Sequence, residues 1–299
     1  MTTSTAPNNN EEHVPFLPEN ETEIARLLVQ HRRLSELLGG ILPKSLDLSH
    51  IDLVLDVACG AGGWALDMAR KHPALHITAI DKSPYFIEQA RRMALAQQVT
   101  NVTFRVHDLR HFASDHFTHG SFDLISMRHT AGKIAPHEIV SLLPSLVHLC
   151  RTGGMLHWLE AELPITNSPA YQRFMALILQ SLKATGRAYA PSNSSLGITA
   201  CMAAWFQNAG CRIVENIAHT IDVSTGTAAH ALFLRQSWIF GHQVQSFLLA
   251  SGATTLAEFE EVFQSVQKEL AGEAFCGMCF LREVVGMKLR EGERIAVFR

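Results

Sequence analysis

The residues of this chain whose types and spacing could do chemistry are a glycine turn and three carboxylates. The turn lies in Val54-Leu55-Asp56-Val57-Ala58-Cys59-Gly60-Ala61-Gly62-Gly63-Trp64, where an apolar run ends and helical periodicity begins. Glycines between a strand and a helix let backbone approach a ligand closely, and the free N–H groups at a helix start favour an anionic or polar end there. A dinucleotide fingerprint would set its glycines at G-x-G-x-x-G, whereas this turn reads C-G-x-G-G, which on its own fits an ordinary tight bend equally well. Asp81 follows the run His76 to Ile80, 25 residues beyond Asp56, at the strand tip where a doubly wound fold holds the two ribose hydroxyls of a nucleoside. Asp108, with Leu109 beside it, follows the run Val102 to Val106, where an acid can take an adenine amino group. Each acid alone reads as a solvated loop carboxylate; three at successive strand ends read as a nucleoside site.

The elements that must position these residues alternate along the chain. From Glu21, the residues Ile24, Leu27, Leu28, Leu34, Leu37 and Leu38 recur at helical spacing, with His31 filling the gap, up to Gly39-Gly40; this is one long helix or two short ones. Strands are expected at 51–58, 76–80, 102–106, 122–127 and 155–159, separated by helices at 64–71, 84–97 and 136–150. Strands alternating with helices of that length imply right-handed βαβ units and a mostly parallel sheet. Further on, helices at 170–184, 199–209, 227–250 and 255–271 interleave with strand-like 212–223 and 274–288. The expected fold is α/β, a doubly wound, Rossmann-like, seven-stranded and mostly parallel sheet with inserted covering helices.

Composition removes several function classes. With 25 basic and 28 acidic residues the net charge is −3, so no uncompensated positive field exists to hold a phosphate backbone and nucleic acid is not an expected partner. No charged-then-apolar leader precedes the six scattered cysteines, which points to a cytoplasmic protein with reduced thiols. Apolar runs break well short of a membrane span, so no membrane segment is expected. The 16 histidines invite a metal site, and His107, His111, His116 and His119 cluster with Asp108 and Asp115, but their spacing fits no zinc pattern and no metal is expected. Cys276 and Cys279 form a C-x-x-C with no second pair, which fits small apolar residues of a strand.

Taken together, VLDVACGAGGW, TAIDKS, FRVHDL, FDLISMRH and LCRTGGMLHWLE resemble the class I S-adenosylmethionine-dependent methyltransferases over residues 50–160. The helical start and the stretches ITNSPAY and LGIT resemble a bacterial small-molecule subgroup of that family. One departure is Ala58, where many members carry Gly. The resemblance implies S-adenosyl-L-methionine as cofactor, with its methionine end over the turn Ala58 to Gly62, past Gly60, and Asp56 ordering the turn or reaching the amino group. It implies Asp81 on the ribose, Asp108 on the adenine amine with Leu109 nearby, and Lys82 flanking the base. The backbone around Met127 and Arg128 would face the methionine amino group and the transfer site.

The implied activity is in-line methyl transfer to O, N or C of a small organic acceptor. A general base is needed there only if the nucleophile holds a proton at attack. His129, just past the fourth strand on the carboxyl edge, is the base candidate, against a plain reading as a loop histidine bonded to backbone or water. His157 and His31 are weaker pocket-lining candidates.

Residues 1–20 read as a flexible tail and 21–299 as one methyltransferase domain: covering helices at 21–45, a cofactor-binding half at 50–160, and helical acceptor covers at 165–210 and 225–272. The apolar faces of those covers, Tyr171, Phe174 and Met175 on one and Phe233 and Phe240 on another, imply an apolar acceptor pocket. Two other readings stay open: a cofactor-binding regulatory protein without transfer activity, and a non-methylating enzyme using the same cofactor on the same fold. Helix 255–271 is either a homodimer contact or an ordinary surface helix.

Overall fold

Val54, Leu55 and Val57 are fully buried, so the first strand is covered on both faces, as parallel strands flanked by helices must be. The computed structural model describes residues 15–109, 117–191, 194–290 and 292–293. In chain order the elements are α1 (Glu21–Leu37), β1 (Leu53–Val57), α2 (Gly63–Lys71), β2 (His76–Asp81), α3 (Pro84–Ala96), β3 (Val102–Val106), β4 (Phe122–Arg128) and α4 (Pro136–Leu149). They continue with β5 (Cys150–Ala161), β6 (Ile165–Thr166), α5 (Pro169–Ala184), α6 (Ile198–Asn208), β7 (Cys211–Asp222), α7 (His230–Ala250), α8 (Leu256–Leu270) and β8 (Gly277–Lys288).

The sheet runs β3-β2-β1-β4-β5-β8, with β1 to β5 parallel and β8 antiparallel to β5, β6 and β7. The order reverses between β1 and β4, which makes the carboxyl ends of these two strands the topological switch point where such sheets hold ligands. Eight strands are present among the described residues, one more than the seven expected. The additional one, β6, has two residues, too short to leave a periodicity in the sequence.

Alternate residues of β1, β2, β4 and β5 feed two cores. Leu55, Ile125 and Trp158 face the cluster built with α4 to α8, whereas Val54, Ile77 and Leu124 face the cluster built with α2 and α3. The bounds of α2 are set at Gly62, whose φ of +76° is a left-handed conformation; a Cβ there would lie 2.6 Å from Phe104 Cε1. Ser83 caps α3 by accepting from Phe86 N–H, and Pro84 follows as its first residue. The start of α1 is fixed by Asn20, which accepts from Glu23 N–H and donates to Gln243 of α7.

Of the expected tail, residues 1–14 lie outside the described residues. Phe16, however, packs edge-on against Phe247 and Phe240 at centroid distances of 5.2 and 6.0 Å, so this end of the segment is docked on α7. The helix after it is one long element, which settles the alternative left by its spacing. Among the described residues, no helix is long and apolar enough to cross a membrane.

Candidate functional site

At the switch point the turn after β1 is held by its own backbone. Cys59 N–H donates to Ile80 O on β2, and Gly62 N–H donates to Cys59 O. Ala58 takes φ +55°, a left-handed conformation that costs an L-residue with a Cβ but not glycine. Asp81 closes the arrangement: its Oδ2 accepts from Gly60 N–H at 2.8 Å and its Oδ1 from Ser83 N–H at 2.9 Å. The carboxylate at the tip of β2 is thus tied to the turn after β1, although the two are far apart in sequence.

A small cavity of about 60 Å³ opens over this turn, lined by Asp56, Ala58, Cys59, Gly60 and Trp64 below and by Leu27 and His31 of α1 above. Arg128, His129 and Lys133 line its side. Asp56 is buried, and loss of solvation pushes its carboxyl up to about 7 despite the Arg128 guanidinium nearby. Its Oδ2 has no hydrogen-bond partner, and neither has Nε of Arg128. Arg128 lies over the Trp64 ring at 5.5 Å, and its Nη1 is 3.3 Å from His31 Nδ1, the other nitrogen of that ring being 2.8 Å from Asp67 Oδ2. A carboxyl and a guanidinium, both enclosed and both short of partners, face a space that opens between them.

The expected site residues divide accordingly. Asp56, Ala58, Gly60, Arg128 and His129 line the small cavity, Gly62 starts the helix beneath it, and Asp81 is hydrogen-bonded to it through Gly60. Lys82 is exposed beside Asp81. Asp108 follows His107, whose N–H donates to Asp81 O, and Leu109 packs half-buried against the core. Met127 sends its side chain into the core, leaving its backbone for the site, whereas Arg128 contributes its guanidinium as well as its backbone. The guanidinium was not expected, although its signal is the one basic residue of the run FDLISMR, at its carboxyl end.

His129 holds φ +52°, donates its backbone N–H to Leu159 O, and lines both the small cavity and a larger one. Its electrostatics oppose the base role. Burial, then Arg128 and Lys133, push the imidazole down to about 3, so it is neutral near pH 7 but a poor proton acceptor. His157 is no pocket residue: its Nδ1 meets Ser126 Oγ at 3.0 Å and its Nε2 meets Glu283 Oε1 at 2.9 Å, with His219 on the other oxygen. His31 does reach the small cavity.

The larger cavity, about 320 Å³, lies under α1, α5 and α7 and shares Leu27, Gln30, His129 and Lys133 with the small one. Leu34, Tyr171, Met175, Ile178, Phe233 and Phe240 make its walls apolar, and Phe16 and Leu17 border it. Cys279 lines it too, with a thiol pushed up to about 12 by burial, while Cys276 is exposed. Of the histidine and aspartate cluster, His111, Asp115 and His116 lie outside the described residues, among which no metal-ligating group of three forms.

Residues 54–154 match the methyltransferase-domain family. The chain is 27% identical over 173 residues to methyltransferase str2 of Strobilurus tenacellus, a match covering 56% of this chain and 58% of that protein. It is 30% identical over 125 residues to trans-aconitate 2-methyltransferase of Enterobacter sp. (strain 638), covering 42% and 43% respectively. The chain thus spans about half the length of the curated relatives it matches. Among solved structures, phosphoethanolamine N-methyltransferase 2 of Haemonchus contortus with S-adenosyl-L-methionine aligns with a TM-score of 0.52 and 12% identity, over 91% of this chain and 58% of that one. At that identity the likeness is one of fold.

Proposed function

We propose, for a chain whose residues 54–154 are a class I methyltransferase domain, that it binds S-adenosyl-L-methionine over the turn after β1 and transfers the methyl group to O, N or C of a small organic acceptor. The observation that carries this reading is the pair of unpartnered atoms in the small cavity, Asp56 Oδ2 and Arg128 Nε. An enclosed acid and an enclosed guanidinium match the ammonium and carboxylate of an amino-acid end, and an unsatisfied buried polar atom asks for a ligand. When bound, the cofactor supplies an electrophilic methyl on a sulfonium: a bond to the acceptor forms as the C–S bond breaks, and the electron pair leaves on a neutral thioether.

The chain's own residues bind, orient and exclude water. Asp56 holds the ammonium and Arg128 the carboxylate, while Asp81 exchanges its bond to Gly60 N–H for, or shares it with, the ribose hydroxyls. Asp108 takes the adenine amine with Leu109 against the ring, and Lys82 flanks it from outside. Helix α1 roofs both cavities through Leu27 and Gln30, so the reacting atoms meet at their shared wall, screened from solvent. The acceptor occupies the larger cavity. The likeness to a relative named for a small organic acid supports an acceptor of that size.

The test is turnover with methyl-labelled cofactor against a panel of small acids, phenols and amines. Acceptor-dependent S-adenosylhomocysteine and a product heavier by one methylene unit are expected. Tight cofactor binding with no S-adenosylhomocysteine from any acceptor would favour a non-catalytic binding protein. A product of unchanged mass would favour non-methylating chemistry.

A further inference from the structure

The larger cavity has one charge left over. Its formally charged lining residues are Arg26, Lys133, Glu160 and Glu162. Arg26 closes a two-pronged pair with Glu23, both contacts 2.6 Å, and both side chains are buried. Glu160 Oε1 accepts from Thr130 N–H, Thr130 Oγ1 and Trp158 Nε1. Glu162 accepts from the N–H groups of Leu196 and Gly197 and from the Thr199 hydroxyl. Among the described residues the Lys133 side chain forms no ion pair and no hydrogen bond, and it lines both cavities, where cofactor and acceptor sides meet.

Two of the groups around that junction are poor proton acceptors. His129 is pushed down to about 3 and the thiol of Cys279 is held by burial in its protonated form, while Glu160, whose carboxyl burial pushes up, has its Oε1 engaged by three donors. An acceptor that brings a proton to be removed is poorly served there. An acceptor already ionised at neutral pH needs no base.

We propose that Lys133 selects the acceptor, and that the cavity takes an apolar carboxylic acid with its carboxylate on the Lys133 ammonium and its hydrocarbon or aryl body among Leu34, Tyr171, Met175, Ile178, Phe233 and Phe240. The assignment rests on the methyl-transfer reading for its sense, because it names the acceptor class of that same site. Lys133 is itself exposed, so its ammonium stands charged at the mouth of the cavity, where an entering carboxylate can reach it. A volume of about 320 Å³ is at the small end of the range for small-molecule sites, which suits a body of one ring and a short chain.

The experiment is calorimetric titration of the full chain with 5-phenylvalerate and with 5-phenylvaleramide, with and without saturating S-adenosylhomocysteine, in wild type, Lys133→Met and Lys133→Arg. The acid should bind wild type about tenfold or more tightly than the amide, the size of one charge-assisted hydrogen bond. Lys133→Met should lose that preference and Lys133→Arg should keep it. Equal binding of acid and amide to wild type, absence of acid binding, or a preference that survives in Lys133→Met overturns the assignment. The wild-type comparison stands even where a variant fails to fold. S-adenosylhomocysteine binding in the same titrations separates the two readings: normal binding without acid preference sinks the acceptor class alone, and acid preference without it sinks the cofactor reading.

Discussion

On the proposed function, Asp56 is the residue on which cofactor binding and stability pull in opposite directions. Its carboxyl sits at about 7 in the folded chain against an ordinary value of 3.8, raised by burial. The folded state therefore binds the proton more tightly than the unfolded one, so stability from this group falls as pH rises from about 4 to about 7 and stays reduced above that. Asp56→Asn should be the more stable protein at pH 8 by urea unfolding, with the difference vanishing near pH 3. Affinity for S-adenosylhomocysteine should run the other way, rising in wild type as pH passes through about 7 because only the ionised acid pairs with the ammonium. In Asp56→Asn that pH dependence should disappear; a variant that keeps it places the titration elsewhere.

Two neighbours of the turn carry further expectations at the same scale. Ala58 occupies a left-handed conformation where glycine is at ease, so Ala58→Gly should raise the unfolding free energy read by urea, by a net of about 0.5–1 kcal/mol once the added chain entropy of glycine is subtracted. His129 was legible as a residue of the carboxyl edge, and it does stand at the meeting of the cavities. Its proton affinity was not legible, because that depends on Arg128 and Lys133 enclosing it in space. His129→Gln, which keeps a polar wall group, should retain turnover within about tenfold, whereas loss of a true general base costs about 100-fold or more. Lys133 had no sequence signal at all, standing alone after Gly132 with no partner at a telling interval.

The elements were legible where their periodicity was long. The first five strands and the helices between them fall where alternation of apolar runs places them, since burial on both faces leaves continuous apolar strands. The strand expected at 155–159 is longer, Cys150–Ala161, because Arg151, Thr152 and the Gly153-Gly154 pair at one end and Glu160 at the other mask the run. The approach of α7 to α8 is invisible in sequence, yet Gly241 records it: a Cβ there would lie 2.0 Å from Phe263 Cε2. Gly241→Ala gains about 1 kcal/mol of helix propensity, and forcing Phe263 off its stack with Phe259 should cost more, roughly 1–3 kcal/mol or above. A lower unfolding midpoint is expected, and an unchanged or higher one would show that the two helices separate easily. Since α7 also walls the larger cavity, the same variant should alter acceptor affinity more than cofactor affinity.

At the scale of the whole molecule, a sheet that reverses its strand order offers one ligand edge, and the chain covers that edge with α1 from one end of the sequence and α5 and α7 from the other. The glycine turn and the three acids were readable because each sits at a fixed offset from a strand. The cover was readable only as apolar helices, since which of their residues meet depends on packing between segments more than a hundred residues apart. The division that results is physical: a polar cavity in which Asp56 Oδ2 and Arg128 Nε lack partners on one side, an apolar cavity with the unpaired ammonium of Lys133 on the other. The most direct measurement is calorimetric titration of S-adenosylhomocysteine into the wild-type chain and into Asp81→Ala. Saturable binding at one site per chain is expected, weakened about tenfold or more in the variant, as loss of charge-assisted hydrogen bonds to the ribose requires. No binding to wild type, or equal binding to both proteins, would contradict a cofactor site at the β1–β4 switch point.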